Sequence, residues 1–175
     1  MKEQQAEDCC KQVYYTMEMI ILMGLQASGK SSFFRSNFAA THEHVSKDLL
    51  RTSKYKNKVQ KQAELIERAL QEHRSVVIDN TNARIEDRKP LIELGRRYGA
   101  RIIGYYFEPE VVSSRERNKQ RVGKAQVPDK VIFITAHKLV PPSYAEGFDK
   151  LYYVQIAENS TPENPQWIIK EVLHG

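Results

Sequence analysis

The residues best suited to chemistry lie in the run GLQASGKS, from Gly24 to Ser31. This run, called the P-loop below, fits the pattern G-x-x-x-x-G-K-[ST], whose backbone N–H groups cradle phosphate oxygens. Gly24 and Gly29 permit the tight turn that brings those N–H groups inward. Lys30 can reach the β- and γ-phosphates of a nucleotide, and the Ser31 hydroxyl can ligate Mg²⁺. The residues expected to bind ATP are Gly24, Leu25, Gln26, Ala27, Ser28, Gly29, Lys30, Ser31 and Ser32.

An acid that could act on an acceptor hydroxyl is Asp48, in the segment VSKDLLR at 45–51. Phosphoryl transfer needs a group that orients and deprotonates the attacking hydroxyl. Arg51 follows one helical turn later, so both side chains can face one site. The alternative is that Ser46 or Asp48 only caps the next helix, and the local sequence alone favours that interpretation.

A basic segment at 112–124 could neutralise the phosphates of a nucleotide bound at the P-loop. Arg117 and Arg121 are spaced to share one face of a helix, and Gly123 offers a pivot. We expect a lid at about 113–127 that folds over the nucleotide and offers arginine to the γ-phosphate. The alternative is a solvated basic helix face, the commoner outcome for a bare charge run.

The polar run Asp79-Asn80-Thr81-Asn82 directly follows a buried-type strand. Asp79 could hold the water shell of Mg²⁺ or position Ser31. Asn80 or Asn82 could hydrogen-bond the acceptor. The alternative is a polar turn whose side chains cap the local backbone.

The elements that must position these residues alternate between strands and helices. Apolar runs predict strands at Met19–Met23, Ser75–Asp79, Arg101–Phe107 and Leu151–Ile156, with a weaker one at 44–46. Apolar spacing and proline positions predict helices at Gln60–Glu72, Ile85–Tyr98, Pro109–Arg121, Pro128–Lys138 and Trp167–Leu173. This alternation predicts an α/β fold with a mainly parallel sheet.

The length of 175 residues suits one domain, expected at 17–175, after a flexible leader at 1–16. No apolar stretch of about 18 residues occurs, which makes a membrane-spanning helix unexpected. The adjacent Cys9 and Cys10 suit no disulfide framework, which favours a reducing, cytoplasmic setting. A net charge of +5 permits an anionic partner such as nucleic acid without identifying it.

Taken in order, four motifs resemble the 5′-kinase domain of polynucleotide kinases. They are the P-loop and the segments VSKDLLR (45–51), VVIDNTN (76–82) and R-x-R-N-x-x-R (115–121), and PSYAEGF (142–148) resembles the metazoan type. The resemblance covers about Met19 to Ile156. It implies a nucleoside-monophosphate-kinase-like P-loop NTPase fold, in which helices flank a mostly parallel five-stranded sheet with the P-loop strand central, and a helical lid. The absence of a D-x-D-x-T phosphatase motif favours a kinase alone.

The resemblance also implies transfer of phosphate from ATP to the 5′-hydroxyl of RNA or DNA. Asp48 would be the general base, and Arg51 would contact the phosphate 3′ of the reacting nucleoside. Arg121 would be the lid arginine on the nucleotide phosphates, helped by Arg117. The catalytic set is therefore Asp48, Lys30 and Arg121, the acceptor-binding set is Lys47, Asp48, Arg51, Asp79, Asn80 and Asn82, and the metal set is Ser31 and Asp79. Lys47 stands where such kinases usually carry arginine, which puts the grip on substrate at this position in doubt.

Two other functions stay open from the sequence. A P-loop kinase of a small-molecule or nucleotide-sugar hydroxyl would share the P-loop, the acid and the lid. A nucleotide-dependent switch would need no Asp48. Stacking aromatics would favour nucleic acid, but Tyr55, Tyr105, Tyr106 and Tyr144 suit packing better.

Overall fold

The computed structural model describes residues 17–52 and 57–174, and only the backbone of 51 and 52. The predicted leader with its two cysteines, and Tyr55, lie outside the described residues. The strands are β1 (Glu18–Met23), β2 (Glu43–Val45), β3 (Val76–Asp79), β4 (Arg101–Phe107), β5 (Lys150–Ile156) and β6 (Trp167–Glu171). The helices are α1 (Lys30–Asn37), α2 (Lys58–Gln71), α3 (Ile85–Arg97), α4 (Val111–Lys119) and α5 (Asp129–Lys138). Short 3₁₀ turns lie at Leu49–Thr52, Gly123–Ala125 and Tyr144–Glu146.

The strands form a single sheet in the order β2-β3-β1-β4-β5-β6. The first five are parallel, and β1 lies in the middle of them between β3 and β4. The predicted α/β fold and the central P-loop strand are confirmed. Because the strands are parallel, their carboxyl ends meet at one edge, which is where ligands bind in such sheets.

The helix predicted at Trp167–Leu173 is wrong, because this segment forms the sixth strand. Strand β6 pairs antiparallel with β5, from Tyr152 opposite Glu171 to Ile156 opposite Trp167. The segment holds five apolar residues around Lys170 and Glu171, too few to separate a helical from a strand period, and its adjacent isoleucines suit a strand. The free hydrogen-bonding edge of β5 decides in favour of the strand.

Alternate residues of β1 face opposite sides of the sheet and build two apolar layers. Met19, Ile21 and Met23 belong to the layer that contains residues of α2 and α3. Ile20 and Leu22 belong to the other layer, which contains residues of α1 and β4. Since both faces of β1 are buried, the strand offers a rigid support for the loop that follows it.

The C-terminal strand packs on the first helix through aromatic rings. Phe33 of α1 meets Trp167 of β6 edge-on, with ring centroids 5.2 Å apart. Phe33 makes a similar contact with Phe107 at 5.3 Å. These contacts tie β6 to the helix that begins at the P-loop. No helix in the described part of the chain is both long and apolar enough to cross a membrane.

Candidate active site

The P-loop connects β1 to α1 through a tight backbone path. Gly24 donates its N–H to the Thr81 carbonyl at 3.0 Å, which ties the loop to the segment after β3. A Cβ on Gly24 would lie 2.9 Å from the Phe107 Cβ, so only glycine fits there. Ala27 and Gly29 adopt left-handed backbone angles, with φ of 58° and 94°. The loop is therefore shaped to turn its N–H groups inward.

Lys30 is buried within the loop that it serves. Its ammonium donates to the carbonyls of Gly24, at 3.1 Å, and of Leu25, and to the Ser28 hydroxyl at 3.2 Å. Burial lowers the pKa of Lys30 to about 8, although the negative charge of Asp79 acts to raise it. The positive charge is thus held at the position where a phosphate would compensate it.

Ser31, Asp79 and His44 form a hydrogen-bonded group beside Lys30. The Ser31 hydroxyl donates to Asp79 Oδ2 at 2.6 Å, and His44 Nε2 lies 3.0 Å from the same oxygen. Burial tends to raise the pKa of Asp79, but the hydrogen bonds from His44 and Ser31 and the charge of Lys30 outweigh it, so the pKa is lowered. His44 also stacks on Phe34, with centroids 4.0 Å apart. Hydroxyl and carboxylate oxygens in this arrangement fit Mg²⁺, which takes few protein ligands and completes its shell with phosphates and water.

A cleft of about 370 Å³ opens in front of these groups. It brings together most of the side chains predicted for the site. The predicted residues that line it are Gln26, Ala27, Ser28, Gly29, Lys30, Ser31, Lys47, Asp48, Asp79, Asn80 and Arg121. Lining residues that the sequence did not identify are Lys58, Thr81, Ala125, Val127 and Val131. Thr81 lay within a segment already singled out, whereas Lys58 and Val131 carry no sequence signal of their own.

Asp48 reaches the cleft from the turn after β2. Its backbone N–H donates to the Ser46 hydroxyl at 3.2 Å, so Ser46 supplies the hydrogen bond of the turn. The Asn80 side chain accepts from the Lys47 N–H at 2.9 Å and donates to Gln62 at 3.1 Å. Asn80, predicted as an acceptor contact, therefore holds this turn in place beside the cleft.

Two of the predicted contacts, Asn82 and Ser32, take other positions. Asn82 is buried, has a φ of 44°, and donates from its amide to the Leu22 carbonyl at 2.7 Å. It therefore braces the end of β1 instead of lining the cleft, which corrects its prediction as an acceptor ligand. The Ser32 hydroxyl accepts from Arg35 at 3.0 Å and lies outside the cleft lining. The side chain of Arg51 lies outside the described residues.

The two lid arginines have different environments. Helix α4 ends at Lys119, so Arg117 and Arg121 do not share a helix face as predicted. Arg117 donates from Nε to the Ala27 carbonyl at 2.7 Å, and burial followed by the charge of Arg121 lowers its pKa. Arg121 lines the cleft and donates to the Ala125 carbonyl at 3.3 Å. Arg117 thus grips the P-loop backbone, and Arg121 is the arginine available to a phosphate.

Polar contacts also pin the segment between α4 and α5. The buried Asn118 side chain donates to the Val127 carbonyl at 2.7 Å and accepts from the Val127 N–H at 3.1 Å. Arg115 pairs with Asp129 at 2.6 Å. These contacts make the basic run more than a solvated helix face, while the movement expected of a lid at 113–127 stays a prediction.

Arg117→Ala should weaken the binding of ADP by about tenfold, because it removes a charge-assisted hydrogen bond from a half-buried group. The loss should be equal for ADP and ATP, since Arg117 acts through the loop backbone. Titration calorimetry measures both affinities, and Lys119→Ala on the exposed side of α4 is the control. A loss much larger for ATP than for ADP would mean that Arg117 contacts the γ-phosphate directly.

Comparison with known proteins identifies the family of the chain. Residues 19–135 match the protein family described as an AAA domain. The bifunctional polynucleotide phosphatase/kinase of Schizosaccharomyces pombe (strain 972 / ATCC 24843) is 33% identical over 135 residues, which cover 75% of this chain and 32% of that protein. The chain thus spans about a third of the length of this curated relative.

Solved structures share the fold at low sequence identity. A gluconokinase from Sinorhizobium meliloti 1021 is 19% identical with a TM-score of 0.59, over 81% of this chain and 83% of that one. A fungal RNA kinase is also 19% identical with a TM-score of 0.59, over 83% of this chain and 78% of that one. Because the family match covers more than half of the chain, the protein belongs to the AAA domain family.

Proposed function

We propose that the protein is an ATP-dependent kinase that transfers the γ-phosphate to the 5′-hydroxyl of a nucleic acid. The observation that carries this proposal is the position of Asp48 in one cleft with Lys30, Arg121 and the Ser31–Asp79 pair. A carboxylate that faces a phosphate-binding loop is placed to accept a proton from an attacking hydroxyl. A nucleotide-binding switch has no need of such an acid.

In the proposed reaction, the P-loop N–H groups and Lys30 bind the β- and γ-phosphates. Asp48 accepts the proton of the 5′-hydroxyl while the hydroxyl oxygen forms a bond to the γ-phosphorus. The bond between that phosphorus and the bridging oxygen of ADP breaks, and Arg121 stabilises the charge on the transferring group. Ser31 and Asp79 would hold Mg²⁺, which when bound neutralises the charge of the phosphate oxygens.

A nucleic acid is the favoured acceptor for two reasons. The cleft carries Lys47, Lys58 and Arg121 in addition to the P-loop lysine, which suits an acceptor with phosphates of its own. The relative from S. pombe is named as a polynucleotide phosphatase/kinase, and a fungal RNA kinase shares the fold. Lysine at position 47 can bind a phosphate as a point charge, without the two parallel bonds of arginine.

A kinase of small hydroxyl compounds is the second candidate. The gluconokinase shares the fold with the same TM-score as the RNA kinase, so the fold does not separate the two acceptors. The exposed position of Asp48 would admit either a strand end or a small molecule.

The direct test measures transfer of γ-labelled phosphate from ATP with Mg²⁺ to four acceptors in parallel. These are RNA and DNA oligonucleotides with 5′-hydroxyl ends, gluconate and a nucleotide sugar. We expect label on one or both oligonucleotides and none with Lys30→Ala. Transfer to gluconate or to the sugar alone would overturn the nucleic-acid proposal while leaving the kinase reaction.

Acceptor binding should also depend on salt. Each phosphate of a single strand that the protein neutralises contributes roughly −0.7 to the log–log slope of affinity against salt, so two or three contacts give about −1.4 to −2. The slope is measured from the KM of an oligonucleotide at several salt concentrations, with the KM of ATP as the comparison. A KM for the acceptor that does not change with salt would favour a small neutral substrate.

A further inference from the structure

A second cavity, called the side cavity, lies next to the active-site cleft. It has a volume of about 380 Å³, within the range of ligand-binding pockets. Thr81 and Val131 line both the side cavity and the cleft. A ligand that fills the cleft can therefore continue past these two residues. The rest of the wall comes from Ala83, Arg84, Asp87, Ile134, Thr135 and Lys138.

One face of α5 forms a continuous wall that leads away from the cleft. Val131, Ile134, Thr135 and Lys138 have the spacing of a single helix face, and all four line the side cavity. The face begins at Val131, on the border of the cleft, and ends at Lys138, about 10 Å further along the helix axis. At a rise of roughly 3.4 Å per nucleotide, that distance accommodates about three stacked nucleotides.

The far end of the side cavity carries unneutralised positive charge. Arg84 and Lys138 are exposed, and neither forms an ion pair with another residue in 17–52 or 57–174. The single acid of the wall, Asp87, accepts a hydrogen bond from the Arg84 backbone N–H at 3.0 Å, so its carboxylate faces the start of α3. The N-terminal end of that 13-residue helix adds partial positive charge. Ile134, 47% exposed, offers an apolar surface between the charges and the cleft.

We propose that the side cavity is a second acceptor subsite, which binds the phosphodiester backbone and a base of the nucleotides that follow the reacting 5′ nucleoside. This inference rests on the proposed function. The 5′-hydroxyl must lie at Asp48 for transfer, so the strand beyond the first nucleoside has to leave the cleft. The path past Thr81 and Val131 leads the strand first to the apolar surface of Ile134, which suits a base. It then reaches the cations Arg84 and Lys138, which suit phosphate.

The test compares acceptors of increasing length: a nucleoside 3′-phosphate, a dinucleotide, a tetranucleotide and a hexanucleotide. With the native protein, KM should fall as the acceptor grows. In the double variant Arg84→Ala/Lys138→Ala, KM for the hexanucleotide should rise roughly tenfold. KM for the nucleoside 3′-phosphate and kcat should stay unchanged. Lys89→Ala is the matched control, because Lys89 is a 71% exposed cation on α3 outside the cavity wall.

The outcomes separate this inference from the function on which it rests. The side cavity is not a subsite if the double variant has the native KM for every acceptor. The same follows if its KM rises equally for the nucleoside 3′-phosphate and the hexanucleotide. For long acceptors, charge reversal in Lys138→Glu should raise KM more than the single variant Lys138→Ala does, and an equal rise would also count against the side cavity as a subsite. If the native protein transfers phosphate to none of the four acceptors, the proposed function itself fails. Thermal melting of each variant checks that these exposed substitutions leave the fold intact.

Discussion

Asp48→Asn should lower kcat by about a hundredfold to ten-thousandfold, the range that general base catalysis contributes. Asparagine keeps the size of the side chain and its place in the cleft but cannot accept the proton of the attacking hydroxyl. The affinity for ATP should change little, because Lys30 and the P-loop backbone carry the phosphate contacts. Single-turnover transfer from γ-labelled ATP measures the rate, and calorimetry measures nucleotide affinity.

The control for Asp48 is another carboxylate outside the cleft. Glu93 on α3 has a 63% exposed side chain, and Glu93→Gln should leave the transfer rate and the affinity for ATP unchanged. A full transfer rate in Asp48→Asn would assign the base to another group. Intact ATP binding with no transfer in the native protein itself would favour a nucleotide-dependent switch.

Arg88→Ala should lower the free energy of unfolding by about 3–5 kcal/mol, the cost of breaking a buried ion pair from one side. The Arg88 side chain is completely buried and makes a two-bond contact to Glu146, at 2.7 and 2.8 Å. It also donates to the carbonyls of Asn82 and Val140, at 3.1 and 3.0 Å. Its removal would leave the 7% exposed carboxylate of Glu146 without its charge partner.

Denaturant unfolding of two further variants tests whether the stability lost in Arg88→Ala comes from the buried ion pair. Arg96 pairs with Asp149 at 2.9 Å on the surface, and Arg96→Ala should cost only about 1 kcal/mol or less. The double variant Arg88→Met/Glu146→Gln should lose less than Arg88→Ala, because no unpaired charge stays buried. If Arg88→Ala cost no more than Arg96→Ala, the pair would contribute little to stability.

The sequence predicted the nucleotide-binding half of the site because its signals are local. The apolar run before Gly24 and the pattern of the P-loop lie within one continuous stretch, so strand, loop and helix could be identified together. The helix predicted at Trp167–Leu173 is wrong because the partner of this segment, β5, lies across a connection of ten residues. Strand pairing of this kind depends on tertiary contacts that a short apolar run does not encode.

The acceptor half of the site was predicted less completely. Asp79, Asn80 and Asn82 lie within four consecutive residues, and only the backbone angles decide that Asn82 turns inward. His44 contacts Asp79 because β2 and β3 are neighbours in the sheet, a relation that sequence spacing does not express. The spacing of Arg117 and Arg121 predicts one helix face, yet the helix ends between them.

The contact of β6 with α1 makes this strand part of the support of the nucleotide site. Trp167 covers Phe33, and a Cβ on Gly29 would lie 3.7 Å from the Trp167 indole nitrogen. A protease that cut between β5 and β6 and released the last strand would therefore uncover the base of the P-loop helix. Since a ligand that binds only the intact state protects it by mass action, ATP should slow that cleavage. Resistance to proteolysis far from the cleft would then report on occupancy of the nucleotide site.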